Sequence, residues 1–316
     1  MIRQLGVATE HIARNPAMLR MVLDAYPQAR VHRGERFVRE DDVIAFLQGC
    51  DATIVGFEPV TERVLAGLPE LKIISKFGAG CEMIDFEAMR RHDVRFGYQW
   101  GVNRLAVAEL TLAFMIAALR WVMPLNVAMR SAERPRFRNG RLLTGRTIGI
   151  HGCGHIGKEV VRLLAPFGCD ILACDIKDYS DFYRTHGVTP VSLDTLLAHS
   201  EVLSLHLPRT QATRGLYDRD LLAKIRPGSV LINTCRGGIV DEDALLERLE
   251  AGAIAAAAFD VFAVEPSAND RLLRHPHMLA TPHIGASTEE TRLAIAQAAL
   301  RGLTDNAPVD PARFYG

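Results

Sequence analysis

The chain has 316 residues, 48% of them hydrophobic, which is enough for two domains with full cores. Its 37 Lys and Arg offset 37 Asp and Glu, so no general charge draws it to nucleic acid or to an anionic membrane. His11, Arg14, Arg20 and Asp24 interrupt the region where a secretory leader would be apolar, and the apolar run Leu110 to Leu119 is too short to span a bilayer. The expectation is a cytoplasmic protein.

In chain order, Ile2 to Thr9 reads as a strand, Pro16 to Ala25 as a helix, Ala52 to Phe57 as a strand and Thr61 to Ala66 as helical. Lys72 to Phe77 is a strand and Asp85 to Arg91 a helix. This alternation predicts an α/β fold with a mainly parallel sheet covered on both faces. From Asn103 to Met123 the pattern predicts one long helix, apolar around much of its circumference and therefore buried, with a subunit interface one way of burying it. Ser131 to Arg146, rich in arginine, reads as a loop or linker; its charges are either solvated or a cationic wall of a pocket.

The strand–helix rhythm then resumes, with strands expected at 147–151, 170–175, 188–191, 201–207, 229–234, 253–260 and 278–281. Ser192 and Asp241 are placed to cap the helices Leu193 to Ala198 and Glu242 to Glu250. A last helix, Thr288 to Leu303, is long enough to return to the N-terminal part. The six cysteines include no CxxC pair, which argues against structural zinc or a redox dithiol, and no metal is expected. They read as small, reduced, mostly buried residues; Cys81 and Cys235 lie near candidate site segments but no motif couples either to a base.

Two groups of residues carry chemistry. Gly152-Cys153-Gly154-His155-Ile156-Gly157 follows the strand at 147–151 and opens the helix Lys158 to Phe167. Such a turn needs glycine for tight reversal, close backbone approach to a pyrophosphate and helix–strand packing, and the helix start offers free N–H groups. Asp175, eighteen residues past Gly157, ends the next strand and can accept from a ribose 2′-hydroxyl while repelling a 2′-phosphate, so NAD is favoured over NADP. Separately, Arg236, Glu265 and His283 each follow an apolar, strand-like stretch, where an open α/β sheet binds ligands. The planar fork of Arg236 suits a carboxylate. His283 suits proton transfer, and Glu265 can stabilise its imidazolium.

Beyond these residues, the chain resembles the D-isomer-specific 2-hydroxyacid dehydrogenases over essentially its full length, with phosphoglycerate dehydrogenases the most similar-looking branch. The resemblance is carried by Leu71 to Gly80, Val107 to Leu110, Gly152 to Gly157, Leu205 to Pro208 with Thr213, Asn233 to Arg236, Asp260 to Phe262 with Glu265-Pro266, and Thr281 to Gly285. It implies two doubly wound parallel-sheet domains: a flavodoxin-like substrate domain of residues 1–99 and 287–316, and a Rossmann NAD-binding domain of 100–286 carrying a dimerisation helix, assembled as a homodimer. The implied reaction is NAD-dependent interconversion of a D-2-hydroxy acid and its 2-keto acid. Arg236, Glu265 and His283 would be catalytic. Gly78, Ala79 and Gly80 would meet the substrate carboxylate. Gly152, Gly154, His155, Ile156, Gly157, Asp175, Leu207, Pro208, Thr234, Asp260 and Gly285 would hold the coenzyme, Asp260 at the nicotinamide carboxamide.

The substrate stays open at this point. Lys76 and Arg134 fall where phosphoglycerate enzymes can place cations, whereas Glu58, in a loop where those enzymes often carry arginine, would repel a phosphate. Glyoxylate, hydroxypyruvate and branched 2-keto acids remain alternatives. The glycine loop departs from the family pattern by continuing as Cys81-Glu82-Met83-Ile84-Asp85. The chain stops after the returning helix, so a C-terminal regulatory domain and serine feedback are not expected. The same fold also serves NADH-binding transcriptional corepressors; no low-complexity tail favours that alternative.

Overall fold

The computed structural model describes residues 2–131 and 139–312; Arg134 lies outside them. The chain folds as two units, one made of the residues up to Asn103 together with those from Ser287 onward, the other of Arg104–Ala286.

The first unit holds five strands: β1 (Leu5–Val7), β2 (Arg30–Val31), β3 (Ala52–Val55), β4 (Ile73–Lys76) and β5 (Arg95–Gly97). They pair in parallel in the order β2-β1-β3-β4-β5, with Val7 opposite Ile54 and Val55 opposite Lys76. The helix Pro16–Ala25 starts where Asn15 accepts from the amides of Ala17 and Met18, with proline in the first turn, where no amide is needed. It buries Met18 and Val22 in a core shared with Leu5, Val7, Ile54 and Ile295. That last residue belongs to Glu289–Gly302, the returning helix, whose inner face is otherwise built from small side chains. They let it lie against the sheet: the Ser75 hydroxyl donates to the Ala299 carbonyl at 2.6 Å, and a Cβ on Gly97 would stand 2.0 Å from the Gly302 oxygen.

The second unit holds β6 (Thr147–His151), β7 (Asp170–Cys174), β8 (Val188–Pro190), β9 (Val202–Leu205), β10 (Ser229–Asn233), β11 (Ile254–Phe259) and β12 (Met278–Ala280). The order is β12-β11-β10-β9-β6-β7-β8, again parallel. The order reverses between β6 and β9. At such a reversal in an open α/β sheet, the loops at the strands' carboxyl ends diverge to opposite faces, and ligands bind between them.

Three features differ from the sequence expectation. The single helix over 103–123 is two, Arg104–Leu119 and Val122–Arg130, bent by 69°. Trp121 takes a left-handed φ of 58° between them while its indole N–H donates to the Asn139 carbonyl, a constraint from outside the helix. Second, β2 and β5 and the helix Glu40–Leu47 exist although their hydrophobic runs are too short or too charged to announce them. Third, Glu58 does not present a charge at the surface. It is fully buried and accepts from the Gly56 amide at 2.5 Å, and burial, reinforced by Glu10, pushes its carboxyl above the usual range. The repulsion of a phosphate expected from Glu58 therefore lacks its premise, an exposed carboxylate.

Among the described residues no single helix is long and apolar enough to cross a membrane.

Candidate active site

The nucleotide turn begins where β6 ends. Gly152 has φ 92°, and a Cβ there would lie 2.5 Å from the His206 carbonyl oxygen. Gly157 lies under the same turn: its Cβ would meet the Gly152 oxygen at 2.3 Å. Gly154 differs, since a Cβ on it would enter open space, and it caps the helix His155–Leu164 without a side chain. An uncovered, uncapped helix start suits an anion. Asp175 follows β7 and folds back over the turn, its carboxylate accepting from the amides of Cys153 (2.6 Å) and Lys177 (2.8 Å). A carboxylate has about four acceptor positions, so two remain for ribose hydroxyls. The turn and Asp175 therefore fit a dinucleotide of the NAD type.

Arg236 is placed by Asn233, the last residue of β10. The Asn233 side-chain oxygen accepts from the Cys235 amide at 3.1 Å, and its NH2 donates to the Arg236 carbonyl at 3.1 Å. Thr234 is buried and its hydroxyl lies 2.8 Å from that of Thr111. Gly237, directly after Arg236, supports the next loop: a Cβ on it would stand 1.7 Å from the Phe262 carbonyl oxygen. The Phe262 amide in turn donates to Glu265 Oε1 at 3.1 Å, while Glu265 Oε2 lies 2.7 Å from His283 Nδ1. The pair is partly open, with side-chain exposures of 45% for His283 and 37% for Glu265.

His283 itself has φ 55°, uncommon for a residue with a side chain. Asp260 holds it there. Its carbonyl accepts from the His283 amide at 2.8 Å, and its carboxylate accepts from the Thr281 hydroxyl (2.5 Å) and the amides of Ile284 and Gly285 (2.7 Å each). Asp260 is only 1% exposed. Sequence reasoning places Asp260 at the coenzyme and does not reach this anchoring of the histidine loop; the only signal is a Thr-Pro-His run after the next strand. Asn233 and Thr281 likewise stand in motif stretches whose sequence alone gives them no role.

Leu207 and Pro208 follow β9 on the same sheet edge, and the Pro208 carbonyl accepts from the Thr213 hydroxyl at 2.6 Å. The remaining candidates, Lys76 and the turn Gly78-Ala79-Gly80, belong to the first unit, at the carboxyl end of β4. Lys76 is 4% exposed, and its ammonium donates to the Phe77 carbonyl at 2.8 Å and lies 5.5 Å from the Phe57 ring centre. Gly78 has φ 103°, and the Tyr98 hydroxyl donates to the Ala79 carbonyl at 2.8 Å.

A doubly wound sheet with a glycine turn at its switch point defines a dinucleotide-binding α/β protein. Residues 112–285 match the family model described as D-isomer specific 2-hydroxyacid dehydrogenase, NAD binding domain. The chain belongs to that family. It is 36% identical over 259 residues to the D-3-phosphoglycerate dehydrogenase of Bacillus subtilis, an alignment covering 81% of this chain and 49% of that protein. To the hydroxypyruvate reductase of Thermotoga maritima it is 34% identical over 261 residues, covering 81% and 84%. A glyoxylate reductase from Paecilomyes thermophila has a similar structure, with TM-score 0.82, 29% identity, and coverage of 96% of this chain and 93% of that one. The chain spans about half the length of the D-3-phosphoglycerate dehydrogenases it matches.

Proposed function

We propose that this protein is an NAD-dependent oxidoreductase that interconverts a D-2-hydroxy acid and its 2-keto acid. The observation carrying this reading is the 2.7 Å contact between His283 Nδ1 and Glu265, on the same sheet edge as Arg236 and the nucleotide turn. In this reading the second unit holds the coenzyme and the first, through Lys76 and Gly78 to Gly80, receives the acid.

Bound NADH supplies the hydride that goes to the carbonyl carbon. Arg236 binds the carboxylate through its planar fork and polarises the adjacent carbonyl. Glu265 accepts from Nδ1–H, which fixes the imidazole and leaves Nε2 for the substrate. His283 gives its Nε2 proton to the carbonyl oxygen as the carbon receives the hydride, and becomes neutral; in oxidation the same nitrogen takes the proton back. The Glu265 carboxylate stabilises the charged imidazolium before reduction. Asp260 keeps the loop in register, so that this proton donor does not drift with the loop.

Two further parts of the reading have their own support. The exposed apolar side chains Leu105, Ile116, Val122, Val127 and Met129 on the two bent helices, with Leu142 beyond them, support a homodimer through this face. All six cysteines are free thiols, which supports a reducing, cytoplasmic setting.

The test is loss of NADH absorbance with glyoxylate, hydroxypyruvate and 3-phosphohydroxypyruvate as acceptors, repeated with NADPH. Turnover of at least one 2-keto acid with NADH preferred is the expected result. Failure of every acceptor would overturn the assignment, and the ranking among them names the acid.

A further inference from the structure

The core beside the end of β6 contains a buried polar pair that the reaction above does not use. His151 ends β6, immediately before the nucleotide turn, and its Nδ1 lies 2.7 Å from the Tyr217 hydroxyl, sixty-six residues away in sequence. Tyr217 is fully buried and His151 nearly so. The segment around Tyr217 is laced to the stretch that follows Arg236. Gly215 N donates to Gly238 O at 2.8 Å, Tyr217 N to Ile239 O at 3.0 Å, and Asp241 N to Tyr217 O at 3.0 Å. From that stretch Gly237 bears on the Phe262 carbonyl, and Phe262 leads to Glu265 and His283. On the other side, His206 N donates to His151 O at 2.8 Å, and the His206 carbonyl closes over Gly152. One side-chain hydrogen bond therefore joins the nucleotide turn to the catalytic loops.

We propose that the Tyr217–His151 hydrogen bond is a positioning strut that couples occupancy of the nucleotide turn to the placement of Arg236, so that each ligand tightens the other. The inference rests on Arg236 as the carboxylate anchor. A buried tyrosine needs a partner for its hydroxyl in any case. A partner that served the core alone could be any polar group within reach of the hydroxyl, whereas this one is the last residue before the turn. Coupling of two sites is reciprocal, so it can be read from either ligand.

The experiment titrates NADH by fluorescence with and without oxamate, a non-reacting analogue of a 2-keto acid. In the wild-type protein oxamate is expected to tighten NADH by roughly tenfold, within the usual range of coupling between sites. Tyr217→Phe keeps the ring and is expected to bind NADH alone within about twofold of wild type, while losing most of the tightening. Its His151 ring 15N shifts should move, showing that the bond is gone. The double variant Tyr217→Phe/His151→Leu, with both polar groups removed, should lose the coupling equally. Leu222→Ala, a buried core change in the same unit, should lower the thermal midpoint yet keep the coupling.

Full coupling in Tyr217→Phe would overturn the proposal, as would an equal loss in Leu222→Ala. If the wild type binds NADH and oxamate without coupling, the strut falls while the assigned function stands. If it binds no NADH, that assignment falls and takes the strut with it.

Discussion

Gly237→Ala places a methyl carbon 1.7 Å from the Phe262 carbonyl oxygen and 2.1 Å from its carbon. Both are backbone atoms and neither can rotate away. A tolerable carbon–oxygen contact is about 3.3 Å, so the two segments must part by about 1.6 Å. That separation falls on residues 262–265, whose glutamate holds His283 at 2.7 Å. Displaced along the bond by that amount, the pair exceeds 4 Å and is no longer hydrogen-bonded. Overpacking of this kind costs about 1–3 kcal/mol, which lowers the thermal midpoint by roughly 2–12 °C for a domain of this size. A misplacement near 1 Å costs about 10²-fold in turnover. The assay is kcat for NADH oxidation by the best keto acid, beside thermal unfolding. Gly154→Ala is the matched contrast, because a Cβ there meets nothing within 4 Å; it should keep the midpoint and weaken NADH binding. If Gly237→Ala retains kcat within about twofold and an unchanged midpoint, the steric argument is wrong.

Other consequences can be checked with the same protein. His283→Gln should lower kcat by about 10²–10⁴-fold, the usual worth of a positioned acid–base group, with NADH affinity by fluorescence retained; near-normal turnover would remove the histidine from proton transfer. Asp260→Asn substitutes an NH2 for an acceptor oxygen facing the Thr281, Ile284 and Gly285 donors. Each charge-assisted bond lost costs about 1.5–3 kcal/mol, so calorimetry should show a clear drop in midpoint together with slower turnover. Burial lowers the pKa of His151 to about 4, while in the unfolded chain histidine titrates near 6.5. Between these values the unfolded state binds more protons, so the stability His151 contributes is full above pH 6.5 and is lost as pH falls toward 4, up to about 3 kcal/mol from this residue. Denaturant midpoints at pH 7.5 and 4.5 test this, and His151→Leu should flatten the slope.

Much of the fold was legible because its signals are local. Parallel strands buried on both faces write themselves as short apolar runs, and the two parallel sheets follow from their alternation with helices. The turn at Gly152 was readable because strand, glycines, helix and terminal acid occur within one unit of chain. Arg236, Glu265 and His283 could be named as candidates for a similar reason: each stands directly after an apolar stretch. Where a constraint arrives from elsewhere in the chain, that legibility ends. The helix break at Trp121 depends on a carbonyl eighteen residues on, and the inward turn of Glu58 depends on the neighbours that bury it. Two-residue β2 exists only because β1 offers it a partner.

The sequence by itself determined the residue types, their order along two sheets, and the fit of the Gly152 turn to a dinucleotide, since all of these depend on near neighbours and on periodicity. Only the tertiary structure decided which atoms meet. It put Glu265 against His283, made Asp260 the anchor of the histidine loop and set Tyr217 on His151. Such contacts are hydrogen bonds across eighteen to sixty-six residues. A few tenths of an ångström make or break them, and no local propensity records that distance.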